Sequence, residues 1–377
     1  MKIFPIDPTQ KRERQSFLEL PFQIYRDIPQ WVPPLDFDAA RQLNPREHPF
    51  YAHSQAGFFM AEEKGRFIGR LAVLENRHYN EYNHESSAFF YLFECENDPD
   101  AAFGLFEAGS DWACNRNLNR IIGPKGFTTL DGLGMLVEGF DHRPALGIPY
   151  NPEYYPHLVE AYGFMPAGET VSGYMDRSLA FPEKIHEVAR LVQEKKGLRV
   201  SRFRTRKDLY RLVPKLRDLY NQAVEGTSGN TPLTDDEALT MADQMIWFAD
   251  PRLIKIVYHE EEPVGFLFAY PDISAAIQRT GGRVLPFGWA RLLLELRRTK
   301  WLNINGMGLV DRYRGMGGTA LLFSEMYKTI QESRFEYIDV VQIGVENERM
   351  QNEMRNFGIQ FYKKHRMYEK KLVDLSA

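Results

Sequence analysis

Apolar and polar positions along the chain fall into short alternating runs and longer periodic runs, and the order of these runs occurs twice. In the first half the pattern predicts a β-hairpin around Lys64-Gly65, a third strand, a helix, a short strand and a last helix. These elements span residues 56–73, 88–94, 98–117, 120–123 and 151–164. The last helix begins near Asn151-Pro152 and ends at Gly163, which is typical of helix termini.

The second half repeats this order, with two additional helical patterns near its start. Its predicted elements span residues 199–204, 209–224, 235–249, 253–259, 264–270, 302–310, 317–331, 337–344 and 347–359. Asn151 and Asn347 each begin a helix that ends in a Gly-apolar pair, which indicates an internal duplication. We therefore predict an α/β (α+β) protein of two tandem domains, residues 1–178 and 179–377, connected by the charged helical segment 179–197.

Composition narrows the classes of function. The 377 residues are 44% apolar and 26% charged, which is enough apolar material for two folded cores. A net charge of −4 gives no general basic field, so nucleic acid is not an expected partner. Cys95 and Cys114 form no C-x-x-C pair, and no run resembles a signal peptide or reaches the length of a membrane span. We expect a cytoplasmic protein without a membrane span and without a metal site.

The sharpest chemical signal is a glycine-rich turn within LVDRYRGMGGTALLFSEMYKTI, residues 309–330. It lies between a predicted strand and a predicted helix, where glycine lets the backbone approach a ligand closely. The N–H groups of such a turn and the positive end of the following helix form a pocket for a pyrophosphate, and Arg312 and Arg314 add positive charge. A plain strand-to-helix turn is the alternative. Neither a Rossmann fingerprint nor a P-loop is present.

Arg312-Tyr313-Arg314-Gly315-Met316-Gly317 resembles the R-x-x-G-x-G/A coenzyme A loop of the GNAT acetyltransferase superfamily. A second register, residues 314–319, resembles the RGxG form of that loop except at Thr319, and the sequence leaves the register open. A strand that ends in VEN at 345–347, and a helix that ends in a Gly-apolar pair before a terminal hairpin, FYKKHRMYEKKL, extend the resemblance over residues 199–372.

The resemblance implies two tandem GNAT-like domains, each a mixed, mostly antiparallel sheet flanked by helices. It implies that two strands of the second domain splay apart at Val310 and Gly344, and that acetyl-CoA or another acyl-CoA binds between them as cosubstrate. Backbone N–H groups near Leu309 and Val310 would stabilise the oxyanion, without a covalent enzyme intermediate. The implied coenzyme A contacts are Leu309, Val310, Arg312, Arg314, Gly315, Met316, Gly317, Gly318, Thr319 and Asn347.

The acid and base of the reaction are less defined. Many GNAT enzymes have a tyrosine seven residues after the helix-opening asparagine, where this chain has Met354. The alternative general acids nearby in the sequence are Tyr362, His365 and Tyr368, each of which could equally be a packing residue. Glu225 and Asp272 are the candidate general bases, with a solvated carboxylate or a water chain as the alternative.

The first half lacks the phosphate loop. Its equivalent segment, ECENDPDAA at 94–102, has carboxylates and no glycine, so we expect this domain not to bind coenzyme A. Several of its short sequence segments resemble those of uncharacterised bacterial proteins related to GNAT enzymes. Residues 123–155 are predicted to form its substrate-facing surface, and the alternative is that they only pack within the domain. The insert 279–301 contains a basic amphipathic helix, for which a solvated face, a lid and an interfacial helix all remain open.

The leading functional hypothesis is an N-acyltransferase that moves an acyl group, with acetyl the first expectation, from acyl-CoA to an amine of a small metabolite or peptide. A non-catalytic acyl-CoA-binding or structural protein, and an enzyme similar to long-chain N-acyl amino acid synthases, are the alternatives. The intact loop at 312–317 argues against a tRNA-dependent transferase. The oligomeric state is open, and a homodimer is compatible with the sequence.

Overall fold

The computed structural model describes residues 1–128, 131–178, 181–225 and 229–372. Its α-helices, numbered α1 to α13 in chain order, are Lys11–Ile24, Asp36–Gln42, Arg77–Asn83, Pro99–Cys114, Tyr155–Ala161, Glu183–Lys196, Arg206–Tyr210, Val213–Val224, Asp235–Met245, Ser274–Thr280, Gly288–Arg298, Gly318–Gln331 and Glu348–Asn356. Its strands, β1 to β13, are Lys2–Pro5, Gln55–Glu63, Arg66–Glu75, Ser87–Cys95, Arg120–Gly123, Met135–Glu138, Met165–Asp176, Leu198–Ser201, Ile254–His259, Glu262–Pro271, Trp301–Leu309, Tyr337–Gly344 and Gln360–Lys371.

The chain forms two compact units, and each is assembled from more than one segment. Unit 1 contains Met1–Val171, Ser274–Arg291 and Lys363–Ala377, and unit 2 contains Ser172–Ile273 and Leu292–Tyr362. The predicted boundary near Ser178 is close to the first division at 171/172. A single boundary there does not account for Ser274–Arg291 and Lys363–Ala377, which follow it in the sequence but belong to unit 1.

In unit 1, strands β1 to β5 form one sheet in chain order. Every neighbouring pair is antiparallel except β4 and β5, which run parallel. The last strand of the chain completes this sheet, because Tyr368–Lys371 of β13 pairs with Arg120–Gly123 of β5. Helix α4 packs its apolar side on the sheet through Leu105 and Phe106, and burial of such side chains contributes about 1.5–3 kcal/mol each.

In unit 2, strands β8 to β12 repeat the arrangement of unit 1. Neighbouring strands are antiparallel except β11 and β12, which are parallel. Helix α12 follows β11 as α4 follows β4, and its residues Leu321, Leu322 and Met326 are buried in the core of the unit. The predicted duplication of strand, strand, strand, helix and strand is therefore confirmed.

The end of the chain differs from the prediction. FYKKHRMYEKKL was expected to form a hairpin, but all of these residues except Leu372 belong to one continuous strand, β13. The segment has no glycine, proline, asparagine or aspartate to make a turn, and so its backbone stays extended. Among the described residues, no helix combines the length and the apolar character needed to cross a bilayer.

Candidate functional site

The glycine-rich segment of unit 2 connects the end of β11 to the start of α12. Val310–Gly317 forms the loop, and Gly317, with φ +92°, is the N-cap residue of the helix. Gly315 has φ +74°, and a Cβ built there meets no atom within 4 Å. Side chains rarely tolerate such a backbone, which explains the glycines. The N–H groups of Tyr313, Arg314 and Met316 donate to carbonyl oxygens within the loop, so an anion in the open space beside Gly315 would use the N–H of Gly315 and those of the first turn of the helix.

Gly317 and Gly318 face packed atoms instead of open space. A Cβ on Gly317 would lie 2.4 Å from Val192 of α6, and a Cβ on Gly318 would lie 2.9 Å from Leu309. Packing therefore requires glycine at both positions. Met316 and Thr319 were also predicted to contact coenzyme A. Met316 is partly buried against the core of unit 2, and Thr319 lies in the first turn of α12.

Arg312 and Arg314 hold the loop in shape. Arg312 forms an ion pair with Glu262 at the start of β10. Arg314 donates a hydrogen bond from Nη2 to the carbonyl oxygen of Ala223 at 2.9 Å and another from Nε to that of Leu309 at 3.3 Å. Arg314 also forms an ion pair with Asp311 at 3.3 Å. About half of each arginine side chain is still exposed, at 59% and 48%, so both guanidinium groups can be reached from solvent.

Strands β11 and β12 separate towards the loop. They pair in parallel over Trp301–Ile304 and Tyr337–Val340, although both strands continue further. On its other side β11 carries a β-bulge at Asn305 and Gly306, where its register with β10 shifts by one residue. The bulge bends β11 beyond the paired region, which gives the splayed slot that the sequence resemblance implied.

The backbone of β11 presents the N–H of Leu309 towards this slot. Gly265 and Leu309 are directly opposite in β10 and β11, and the N–H of Val310 donates to the carbonyl oxygen of Val264 at 3.0 Å. This pattern makes Gly265 and Leu309 a non-hydrogen-bonded pair, so the N–H of Leu309 points away from β10. Of the two predicted oxyanion donors, Leu309 faces the slot, whereas the N–H of Val310 is engaged in the sheet.

The helix-opening asparagine lies near the end of β12. Asn347 is exposed, and its side chain accepts a hydrogen bond from the N–H of Met350 at 3.1 Å as the N-cap of α13. Met354 is fully buried in the core of unit 2. The position where many GNAT enzymes have a tyrosine therefore has a packing role in this chain.

The two predicted general bases lie at opposite ends of β11. Glu225 is exposed at the C-terminus of α8, two residues after Ala223, which accepts the hydrogen bond from Arg314. Asp272 is buried, and its N–H donates to the carbonyl oxygen of Trp301 at 3.0 Å, at the start of β11. The length of the strand separates Asp272 from the loop by about 25 Å. Of these two carboxylates, Glu225 is the one beside the loop.

Tyr362 belongs to a buried polar cluster in unit 2. Its hydroxyl donates to Oδ2 of Asp339 at 2.7 Å, and burial together with this carboxylate raises the pKa of Tyr362 well above its usual value. Asn303, on the neighbouring strand, is 1% exposed, and neither polar atom of its amide has a hydrogen-bond partner within the described residues. The cluster thus holds the Tyr362 hydroxyl in its protonated form.

Tyr368 and His365 are residues of unit 1. The hydroxyl of Tyr368 donates to Oε1 of Glu160 at 2.9 Å, and the side chain is fully buried. Nε2 of His365 lies 3.0 Å from the carbonyl oxygen of Pro149. Both side chains are packed between elements of their own unit.

Unit 1 has the same slot geometry with different residues. Strands β4 and β5 pair over Ser87–Phe89 and Arg120–Ile122 and then separate, and β4 carries its own bulge at Leu92 and Phe93. The cross-strand pair that corresponds to Phe266 and Gly308 of unit 2 is Arg70 and Glu94. Sequence reasoning did not single out this pair, although a comparison of the two halves strand by strand could have identified it.

A tyrosine occupies the position in unit 1 where an oxyanion would bind. The N–H of Glu96 donates to the carbonyl oxygen of Ile68, so Cys95 corresponds to Leu309 and its N–H points into the slot. There it donates to the hydroxyl of Tyr155 at 2.9 Å. The Tyr155 hydroxyl in turn donates to Oε2 of Glu94 at 2.8 Å.

The comparisons with known proteins agree with the observed architecture. No protein-family model matches the chain. It is similar over its whole length to a tandem GNAT protein from the clavulanic acid biosynthesis pathway, with a TM-score of 0.57, 10% identity, and coverage of 99% of this chain and 98% of that one. The predicted tandem GNAT fold is therefore confirmed.

Two curated proteins are similar to the chain in sequence. Protein YghO from Escherichia coli K12 is 26% identical over 371 residues, which cover 96% of this chain and 94% of that protein. A bacterial ceramide synthase from Caulobacter vibrioides is 28% identical over 373 residues, which cover 96% of this chain and 95% of that protein.

Proposed function

We propose that the protein is an acyl-CoA-dependent N-acyltransferase and that acyl-CoA binds to unit 2. The observation that supports this most strongly is the loop Val310–Gly317, which has open space at Gly315 and lies directly beside a splayed strand. The pyrophosphate would accept hydrogen bonds from the N–H of Gly315 and from those of the first turn of α12, and Arg312 and Arg314 would add positive charge. Each hydrogen bond to a charged phosphate contributes about 1.5–3 kcal/mol.

The slot supports direct transfer of the acyl group. The amine nitrogen attacks the thioester carbon, a C–N bond forms, and the oxyanion accepts a hydrogen bond from the N–H of Leu309. Collapse of this intermediate breaks the C–S bond, and coenzyme A leaves as a thiolate. A single oxyanion donor of this kind contributes about 10²–10³ in rate. Glu225, beside the loop, is the proposed acceptor of the amine proton through water.

The acceptor is an amine of a small molecule. The relative named bacterial ceramide synthase supports a long-chain amino alcohol as the first acceptor to test, because a ceramide is the N-acylated form of such a base. Amines of small metabolites and peptides, and donors from acetyl-CoA to long-chain acyl-CoA, complete the panel. Use of acyl-CoA, and the two cysteines at 95 and 114, neither of which forms a disulfide, support a cytoplasmic location.

An acyl-transfer screen tests this function. The protein is incubated with short-, medium- and long-chain acyl-CoA and the amine panel, and release of the coenzyme A thiol is followed together with the mass of the product. We expect thiol release that depends on the amine and a product heavier by one acyl group. Binding of acyl-CoA without turnover of any amine would favour the second candidate, a non-catalytic acyl-CoA-binding protein, which the buried Met354 also supports.

A further inference from the structure

Unit 1 contains a large cavity beside its slot. Its volume is about 1020 Å³, in the range of sites for sizeable organic ligands. The wall comprises α1 and the segment after it, the end of β4, the stretch 131–151, and part of the insert at 277–285. Apolar side chains form much of this wall, among them Leu18, Phe22, Trp31, Leu35, Leu92 and Ile277.

The ends of this cavity differ in polarity. Arg70, Glu94, Tyr25 and Tyr155 line the inner end, next to the slot. Arg70 and Tyr25 are 5% and 3% exposed, and 13% of the Glu94 side chain is exposed. A buried polar group without a partner is costly, so a polar cluster of this kind in a large cavity indicates a ligand.

The polar cluster retains unused hydrogen-bonding capacity. Arg70 donates from Nη1 to the carbonyl oxygen of Phe17 at 2.6 Å, and its Nη2 lies 3.6 Å from Oε1 of Glu94. The Nε of Arg70 is buried and has no hydrogen-bond partner within the described residues. The Glu94 carboxylate accepts from Tyr155 at Oε2 and also interacts with the Tyr25 hydroxyl, and its Oε1 lies 3.6 Å from Nη2 of Arg70, beyond hydrogen-bonding distance.

The buried charges of the cavity favour a cation. Glu94 and Asp131 are partly buried carboxylates of the wall, and the Asp38 carboxylate, which forms an ion pair with Arg41, is 29% exposed. Among the basic lining residues Arg70 is buried and Arg14 partly buried, whereas Lys11, Arg26 and Arg283 are exposed. Because Asp38 is paired with Arg41, Glu94 and Asp131 are the carboxylates that outnumber the buried Arg70, and a positively charged head group would balance them.

We propose that this cavity binds a single-chain amphiphile with a primary ammonium group. The ammonium group donates to Oε1 of Glu94, a hydroxyl beside it accepts from Nε of Arg70, and the alkyl chain lies along the apolar wall. The site is defined by binding alone, which is measured without acyl-CoA.

Binding of three matched probes tests the site. Dodecylamine, dodecanol and dodecanoate have the same chain and different head groups, and the fluorescence of Trp31 in the wall reports their binding. We expect dodecylamine to bind about tenfold or more tightly than dodecanol, because a charge-assisted hydrogen bond contributes about 1.5–3 kcal/mol. Equal affinity for dodecylamine and dodecanol, or tightest binding of dodecanoate, would overturn the proposal.

Two variants and a control locate the head group. Glu94→Gln should remove the preference for the amine while dodecanol still binds. Glu96→Gln, an equivalent change at an exposed residue paired with Arg66, should leave the preference intact. If Glu94→Gln does not fold, Ala39→Trp, which fills the cavity from α2, should abolish binding of all three probes. Unchanged amine binding in Glu94→Gln or Ala39→Trp contradicts the site.

A second inference concerns three exposed apolar side chains, which we call the apolar tip: Leu285, Phe287 and Trp289. They are 74%, 76% and 49% exposed, respectively. Exposed arginines accompany them in unit 1 at positions 279, 283 and 291. The stretch from Arg279 to Arg291 contains no acidic residue. Aromatic and aliphatic side chains next to cations are typical of segments that insert into the surface of an anionic membrane.

We infer that the apolar tip docks on an anionic lipid surface. The protein should co-sediment with vesicles of phosphatidylcholine and phosphatidylglycerol, and the Trp289 emission should shift to shorter wavelength. Vesicles of pure phosphatidylcholine should cause neither effect. Phe287→Ser should weaken this binding about tenfold, and Phe37→Ser, at an exposed site on α2, should not. Equal binding to both vesicles would contradict the inference, as would self-association that Phe287→Ser abolishes.

Discussion

Arg70 and Glu94 lie directly opposite each other on β3 and β4, where unit 2 has Phe266 and Gly308 on β10 and β11. The two units thus share a bulged strand and a splayed slot but fill the slot differently. In unit 2 a glycine leaves space beside the backbone. In unit 1 a buried ion pair and the Tyr155 hydroxyl occupy the corresponding position. The slot of unit 2 is therefore suited to a thioester, and that of unit 1 to a ligand without phosphates.

The first prediction concerns Gly315. Replacement by Asp should weaken binding of coenzyme A by more than about tenfold, because it places a carboxylate where the pyrophosphate would lie. Gly65→Asp is a matched control, since Gly65 has φ +79° and equally open surroundings in the β2–β3 turn. Calorimetry should show normal affinity for the control. Equal affinity of both variants would contradict the loop assignment.

The second prediction concerns stoichiometry. Calorimetric titration should give one coenzyme A per chain, because the Tyr155 hydroxyl takes the N–H of Cys95 and the segment 94–102 offers carboxylates to a phosphate. Tyr155→Phe removes that hydroxyl and should still give one site, since unit 1 lacks the glycine loop. A titration that fits two equivalent sites would refute the assignment of coenzyme A to unit 2.

Local signals made much of the fold predictable. The Lys64-Gly65 turn predicted the hairpin of β2 and β3, and the helix predicted at 98–117 begins with Asp98, which is the N-cap of α4, because turn and cap chemistry depends on neighbouring residues. Strand β7 was not predicted, and β13 was predicted as a hairpin. Their residues divide between the two units, and such long-range pairing leaves little trace in a local pattern.

The same distinction applies to the candidate site. Positive φ at Gly315 and Gly317 requires particular residues, so the loop was visible in the sequence. The direction of the Leu309 N–H and the pairing of Arg70 with Glu94 both depend on strand register and on a bulge. A shift of one residue in the register would change both, and the sequence does not reveal the register. The roles of the predicted site residues stay predictions until the variants are measured.

The third prediction concerns Tyr362. Tyr362→Phe should lower kcat by less than the roughly 100-fold typical of an acid–base group, because the hydroxyl is held protonated by Asp339 and lies in a buried cluster. It should lower the free energy of unfolding by about 1–3 kcal/mol, since Asp339 loses a hydrogen bond. Both values come from steady-state kinetics and urea denaturation. Loss of activity with unchanged stability would make Tyr362 the general acid.

The last prediction concerns His365 and pH. Burial is the main cause that lowers the pKa of His365 from 6.5 to about 4, with the carbonyl oxygen of Pro149 opposing it and Lys363 adding to it. Nε2 must carry the proton that it donates to Pro149, so a second proton would have to go to Nδ1, which is buried and has no hydrogen-bond partner among the described residues. The folded state therefore keeps the imidazole neutral.

Since unfolding restores the ordinary pKa, the unfolded chain binds more protons between pH 6.5 and about 4. The free energy of unfolding should decrease as the pH falls through this window, by up to about 3 kcal/mol from this residue alone, and level off below it. His365→Gln can retain a donor to Pro149 but cannot titrate, so its stability should fall less steeply over the same range. His157→Gln, at an exposed position of α5, should keep the wild-type slope. Urea denaturation at a series of pH values, with hydrogen exchange of β13 to follow unit 1, measures the slopes. If wild type and His365→Gln lose stability in parallel, His365 is not the group that responds.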